Sequence, residues 1–345
     1  MDLIALPASE SARVQKFLRG IFNPTGDAVF LSPAQMQWKY WESHPGWTGS
    51  RSYGFVDDSG EIIAHACSWP LSLRTTESTI SGVHPIDWAA SPRARGAGAE
   101  LLRQIRELRE ISCCIGGTDV AQAVVRKSGF KPAATMQILA RPLRPLRQAL
   151  THPRRDWKLP ARLLRNTAWI VIKSAHAPAG WVAERVLPGA IPEAVLPLAA
   201  LDLAVATRYP ALFEYMSKCP TARHQIWLVR HRNEPRGYFV LSFVPGQARV
   251  ADAWVLSRES EEWRALYVLA VQAALEEGST AEITTGATLQ EACQGAIACG
   301  FRPYGEIDVM LYDPNARLAG VKQIHLQMLD NDLAFLHNNR IEYST

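Results

Sequence analysis

Apolar residues recur at helical spacing over residues 11–22 (SARVQKFLRGIF) and again over 32–45 (SPAQMQWKYWESHP), where Ser32 stands at the N-cap position and Pro45 marks an end. The pattern then switches to alternation over 51–74, predicting two strands joined at Asp57-Asp58-Ser59-Gly60. A strand is expected at 83–90 (VHPIDWAA). A helix follows at 98–110, with Leu101, Leu102, Ile105 and Leu108 on one face. Residues 111–117 (ISCCIGG) read as a short buried strand, and 119–130 as a helix from Asp119 to a stop at Gly129. A strand at 134–143 (ATMQILARPL) is expected to close this unit.

The same order returns in the second half. Residues 38–45 align with 213–220, Asp87 with Asp252, and Gly129 of KSGFKP with Gly300 of ACGFRP. The three offsets differ by no more than a loop length. Matches in one order, on matching predicted elements, argue for two copies of one fold. The boundaries expected are 1–142 for the first copy, 143–190 for a connector and 191–345 for the second copy.

The connector is rich in Arg and Pro and nearly free of acids. It reads either as a basic arm touching a membrane surface or a polyanion, or as a link whose arginines are solvated and whose apolar residues pack on the domains. The recurrence of Leu, Trp and Ile favours the second reading.

Composition narrows the class. The 345 residues are 48% hydrophobic and 20% charged, enough for two sizeable cores. A net charge of +4 is well short of a dedicated nucleic-acid binder, and no nucleic-acid partner is expected. Six cysteines without a CxxC pair read as reduced and buried, in a cytoplasmic protein. The N-terminus lacks the marks of a signal peptide, and the longest apolar run, around TAWIVI, is too short to span a bilayer. No metal is expected.

Residues 91–102 (SPRARGAGAELL) carry the chemistry. A strand feeds a glycine-containing turn and then a helix, whose first amides have no intrahelical acceptor and, with the helix dipole, favour an anion. Gly96 and Gly98 let a phosphate approach the backbone, and Arg93 and Arg95 add charge. This predicts a diphosphate seat. The dinucleotide fingerprint GxGxxG and the Walker lysine are both absent.

This stretch resembles the acyl-CoA loop of the GNAT superfamily of N-acyltransferases, whose pattern Arg/Gln-x-x-Gly-x-Gly/Ala is filled by Arg93, Gly96 and Gly98. The strand before it, the strand SCCIGG after its helix and the ending RKSGFKP follow in the family's order. The resemblance implies an α/β fold of two tandem domains, each a central, mostly antiparallel sheet flanked by helices. It implies acetyl-CoA or another acyl-CoA as co-substrate, held by Trp88, Ala89, Ala90, Arg93, Arg95, Gly96, Ala97, Gly98 and Ala99 in a V-shaped gap beside the strand of Cys114. The acceptor would be a small-molecule or peptide amine, and a homodimer is compatible with the sequence.

Catalysis needs alignment, removal of an amine proton and polarisation of the thioester carbonyl. Where the family often has an acidic tyrosine in the last helix, this chain has Val125. Asp87 and His84 are the candidate catalytic residues and His65 a further base. Asp87 reads otherwise as a paired structural carboxylate, and the histidines as hydrogen-bonded side chains. Glu42 is a candidate at the acceptor mouth, and Trp38, Tyr40, Trp41 and Trp47 as its wall or as core. The second copy reads VLSRESEEWRALYVLAVQ at the loop position, with Glu259, Glu261 and Glu262 and no glycine; it is expected to keep the fold without binding CoA. Besides an N-acyltransferase, a non-catalytic tandem binding or regulatory protein fits, as does a polyanion binder using residues 141–165.

Overall fold

The structure, a computed structural model, describes residues 1–24, 28–153, 156–173 and 176–345. Its first half contains β1 (Ile4–Ala5), α1 (Ser11–Phe22), α2 (Pro33–Met36), β2 (Ser52–Val56), β3 (Ile62–Arg74), β4 (Thr79–Ala90), α3 (Ala97–Ile105), β5 (Ile111–Ile115), α4 (Asp119–Lys127) and β6 (Lys131–Pro142). Then come α5 (Pro145–Thr151), α6 (Leu159–Ile172), β7 (Trp181–Val186), β8 (Leu203–Ala206), α7 (Pro210–Ser217), β9 (Arg223–His231) and β10 (Glu234–Val244). The chain ends with β11 (Gln247–Val255), α8 (Ser260–Glu276), β12 (Glu282–Ala287), α9 (Gln290–Ala298), β13 (Arg302–Tyr312) and β14 (Gln323–His325).

Two compact units result. The first joins Met1–Ala134 to Ala199–Thr207 and Asp308–Ile324; the second joins Thr135–Leu198 to Arg208–Ile307 and His325–Thr345. The units therefore interleave along the chain, where the sequence suggests contiguous copies with boundaries at 142 and 190.

In unit 1, β1 to β4 form an antiparallel run, β4 and β5 pair in parallel, and β5 pairs antiparallel with Val309–Tyr312 of β13. The strand at 134–143 does not close this unit as expected. Residues 137–142 pair instead with β12 in unit 2. Alternation marks a strand but not its partner, so the exchange leaves no trace in the hydrophobic pattern. Leu101 and Ile105 of α3 are fully buried together with Phe55 and Val83. Leu102, Cys114, Val125, Phe130 and Met310 form a second cluster.

The helix expected over 32–45 stops at Trp41. Ser32 caps it, its Oγ accepting the Gln35 N–H at 3.3 Å. Its last turn is widened, with Glu42 N–H donating to Gln37 O at 2.8 Å. The fully buried Arg51 guanidinium donates to the carbonyls of Trp38 (2.8 Å), Lys39 (2.9 Å) and Glu42 (2.8 Å). It satisfies acceptors that a helix end otherwise leaves orphaned.

Unit 2 repeats the plan: β7, β9, β10 and β11 run antiparallel, β11 and β12 pair in parallel, and β12 pairs antiparallel with β6. Its connector is only partly packed. Trp169 is buried and donates to Gly300 O at 2.7 Å, yet Leu164, Val171 and Ile172 on the same helix are exposed. The expectation that the connector's apolar residues pack on the domains is corrected at these positions.

Candidate active site

Among the described residues of unit 1, the ladder between β4 and β5 exists only at Gly82–Ile111 and Val83–Ser112. Beyond it the strands part, and among the described residues no strand pairs with His84–Ala90 on that edge. At the apex, His84 Nδ1 lies 2.9 Å from Cys113 O, so a side chain takes the place of a ladder bond. Asp87 adopts a left-handed φ of 49°, and Asp87 and Trp88 stand opposite one residue, Ala66, between the pairs His65–Ala89 and Cys67–Ile86. This bulge turns the strand just before the loop.

The loop follows at Ser91. Gly96 caps α3 with φ 83°, a conformation that favours glycine. Ala97 N–H donates to Ala94 O and Glu100 N–H to Gly96 O, but among the described residues no backbone acceptor meets the amides of Arg95, Gly96, Gly98 or Ala99. Gly98 is needed for contact: a Cβ there would lie 3.1 Å from Ala90 Cβ. Trp88 Nε1 donates to Gly98 O at 3.0 Å and fastens the strand to the helix. Ala89 and Ala97 are buried, Ala90 is half-buried, and Ala99 is exposed. Arg93 and Arg95 are exposed, and no carboxylate among the described residues pairs with either. Free amides, a Cβ-free approach and two uncompensated guanidiniums suit a diphosphate. The apolar Val120 on α4, 76% exposed, stands uncovered on the neighbouring helix.

The candidate catalytic groups divide. Asp87's carboxylate forms an ion pair with Lys39 and accepts the Tyr40 hydroxyl at 2.7 Å; both charged side chains are almost fully buried. This pairing has the geometry expected of the structural alternative for Asp87. His84 is buried, and burial lowers its pKa to about 4, so the ring is neutral at pH 7. His65 is tied to Ser52 Oγ at 2.9 Å, and burial likewise holds it at about 4 against the pull of Asp87. Val125 is buried in the core. Glu42 follows the widened turn. Trp38 and Tyr40 are core, Trp38 packing on Trp69 at 5.7 Å between centroids. Trp41 and Trp47 line a surface cavity of about 590 Å³ beside Arg109, just before β5. Sequence reasoning missed Lys39, because a cation inside an apolar helix pattern reads as its solvated face, and Arg51, because a cation at the start of a strand pattern carries no sign of burial.

At the matching place in unit 2, β11 and β12 also part, after Val250–Thr285. Here the chain itself fills the gap. Ala287 bridges to Gln327, Thr288 N–H donates to Leu326 O, and Gln327 Nε2 donates to Ala253 O at 2.9 Å. Arg208 joins Asp252 to Asp330 beneath it. The loop is filled too: Glu262 accepts from Ser257 N–H at 3.1 Å and from Arg236 Nε at 3.0 Å, placing a carboxylate inside the loop. A Cβ on Gly295 of α9 would lie 2.5 Å from Trp263 Cβ of α8, so these helices are in backbone contact.

No protein-family model matches the chain, and no curated protein sequence does. Solved structures are similar throughout its length. A GCN5-related N-acetyltransferase from Anabaena variabilis ATCC 29413 aligns with TM-score 0.59 at 13% identity, over 91% of this chain and 73% of its own. A tandem GNAT protein from the clavulanic acid biosynthesis pathway aligns with TM-score 0.55 at 14% identity, over 90% of this chain and 98% of its own. The N-myristoyltransferase of Saccharomyces cerevisiae aligns with TM-score 0.58 at 11% identity, over 99% of this chain and 86% of its own. With its splayed parallel pair and the glycine loop that follows, the chain has the fold of the GNAT superfamily of acyl-CoA-dependent N-acyltransferases.

Proposed function

We propose that the chain is an N-acyltransferase that moves an acyl group, acetyl in the first instance, from acyl-CoA in unit 1 to a small-molecule or peptide amine. The observation that carries this reading is the set of bare amides at Arg95, Gly96, Gly98 and Ala99, beside an open strand edge and, among the described residues, two arginines without a carboxylate partner. The pyrophosphate would rest on those amides with Arg93 and Arg95 near it, and the rest of the donor would follow Trp88, Ala89 and Ala90 along β4. When bound, acyl-CoA supplies the thioester carbon that the amine attacks.

His84 is the proposed proton acceptor. Its Nδ1–H donates to Cys113 O, which leaves the Nε2 lone pair for a proton from the attacking nitrogen. Asp87 is assigned a positioning role, fixing Lys39 and Tyr40 behind the bulge. Unit 2 is proposed to bind no CoA.

Acetyl-CoA titrated into the protein by calorimetry should bind, and Gly98→Glu should lose that binding. No heat with the natural chain, or unchanged affinity in the variant, sinks the reading. A non-catalytic acyl-CoA-binding protein is the second reading, favoured by Val125 at the acid position and by the occupied carboxylate of Asp87. It gains if CoA binds but a broad panel of amines releases no thiol.

A further inference from the structure

We infer that α6 docks unit 2 onto the surface of an anionic lipid membrane, lying in the interface with its outward face in the lipid. The outward face of this helix is inverted relative to an ordinary surface helix. Ala161, Leu164, Ala168, Val171 and Ile172 are exposed at three- and four-residue spacing, bordered by Arg165 and Thr167. Leu164 is 73% exposed, Val171 69% and Ile172 75%. The polar or hydrogen-bonding side chains point inward: Asn166 donates to Gln148 Oε1 at 2.8 Å and Trp169 to Gly300 O at 2.7 Å. A helix bathed only by water has no reason to turn its apolar stripe outward.

Charge identifies what covers the stripe. Residues 141–173 hold nine Lys and Arg against one acid, Asp156, and Asp156 is already bonded to Arg162. Arg154 and Arg155 lie outside the described residues; Lys158, Arg165 and Lys173 are exposed along or beside the helix. A second copy facing it through the same segment would set these cations against themselves, because the one acid of residues 141–173 is already bonded, which disfavours self-association through this face. An anionic surface matches both the cations and the apolar stripe. Trp157, 85% exposed beside Lys158, stands at the N-terminal end as an interfacial anchor. The helix is 14 residues long, and no helix of the described residues is long and apolar enough to cross a membrane, so α6 lies on the surface.

The test uses the full chain with phosphatidylcholine vesicles, with and without phosphatidylglycerol, at low and high salt. The chain should sediment with the anionic vesicles alone, and salt should weaken the binding. The Leu164→Glu/Val171→Glu double variant should lose at least about tenfold in partitioning. Both sites are exposed, so its melting temperature and acetyl-CoA affinity should stay unchanged, which separates loss of docking from misfolding. The fluorescence difference between the natural chain and Trp157→Phe should shift to the blue on vesicles. Absence of binding to anionic vesicles overturns the inference, and so does equal binding by the double variant. Heparin retention that the double variant keeps, without vesicle binding, assigns the segment to a polyanion and overturns it. A dimer abolished by the double variant, again without vesicle binding, assigns the stripe to a second copy with the same consequence.

Discussion

Glu262 Oε2 accepts the backbone N–H of Ser257 at 3.1 Å, so the loop of the second unit is held by a carboxylate of the helix that follows it. In the first unit no carboxylate enters the loop among the described residues, and the amides of Arg95, Gly96, Gly98 and Ala99 meet no backbone acceptor. Binding of acetyl-CoA should therefore saturate at one molecule per chain. Gly98→Glu should take that stoichiometry to zero, because any side chain there meets Ala90 at 3.1 Å and a carboxylate repels the diphosphate. Glu262→Gln should leave one molecule bound, since Gln327 still fills the cleft of unit 2. Calorimetric stoichiometries for the three proteins check this; a second molecule bound to the natural chain contradicts it.

The Lys39–Asp87 pair separates a structural carboxylate from a base. Asp87→Ala leaves a buried ammonium without its counter-charge and should cost about 3–5 kcal/mol of stability. The double variant Lys39→Met/Asp87→Ala, which removes both charges, should recover most of that loss. Denaturant melts of the two single and the double variants measure the coupling. A stable Asp87→Ala protein with abolished turnover would instead return Asp87 to the role of base.

Burial governs the response to acid. It lowers the pKa of His44 to about 3 and those of His65, His84, His224 and His325 to about 4, from an ordinary 6.5. The unfolded chain then binds more protons than the folded one between about pH 4 and pH 6.5. The stability these neutral rings contribute is complete above that window and is lost as the pH falls through it. All five rings shift in the same direction, so their effects on stability add. Glu282 and Asp330, whose pKa values burial raises, work in the opposite direction. The melting temperature should be level above pH 7 and fall steeply towards pH 4, with uptake of several protons on unfolding. A level melting temperature across that range contradicts the argument.

His84 and Cys113 bear on the chemical step. Replacing His84 by Gln keeps a donor for Cys113 O but removes the basic nitrogen. Turnover with an amine acceptor should fall by about 10²–10⁴-fold, with acetyl-CoA affinity and melting temperature nearly unchanged. Unaltered turnover assigns His84 to structure alone.

What the sequence disclosed follows from the range of each signal. The loop at Arg93–Gly98, α3 and the duplicated order were legible because turn chemistry and periodicity are local. The pairing of Val309–Tyr312 with β5 was not, since alternation carries no address. Lys39 and Asp87 lie far apart in sequence, and only the fold makes them partners. Gln327 gave no sign of filling a cleft, because a polar residue in an irregular tail has no period to read. The connector's apolar residues suggested packing on the domains; their outward face on α6 became visible only when Asn166 and Trp169 proved to be the buried ones.

Gly295 tests the closed state of the second unit. A methyl group there would lie 2.5 Å from Trp263 Cβ, 2.9 Å from the Trp263 carbonyl carbon and 3.0 Å from Arg264 N. Two of those atoms are backbone within α8, so no side chain can swing aside and the helices must separate. In most helix interiors Gly→Ala is neutral or stabilising through the unfolded state. Here overpacking dominates, and Gly295→Ala should destabilise the chain by about 1–3 kcal/mol. Acetyl-CoA affinity should be unchanged, because the loop from Arg93 to Gly98 contributes nothing to that contact. A denaturant melt paired with calorimetry reads both quantities, and a Gly295→Ala protein as stable as the natural chain would mean that α8 and α9 do not meet backbone to backbone.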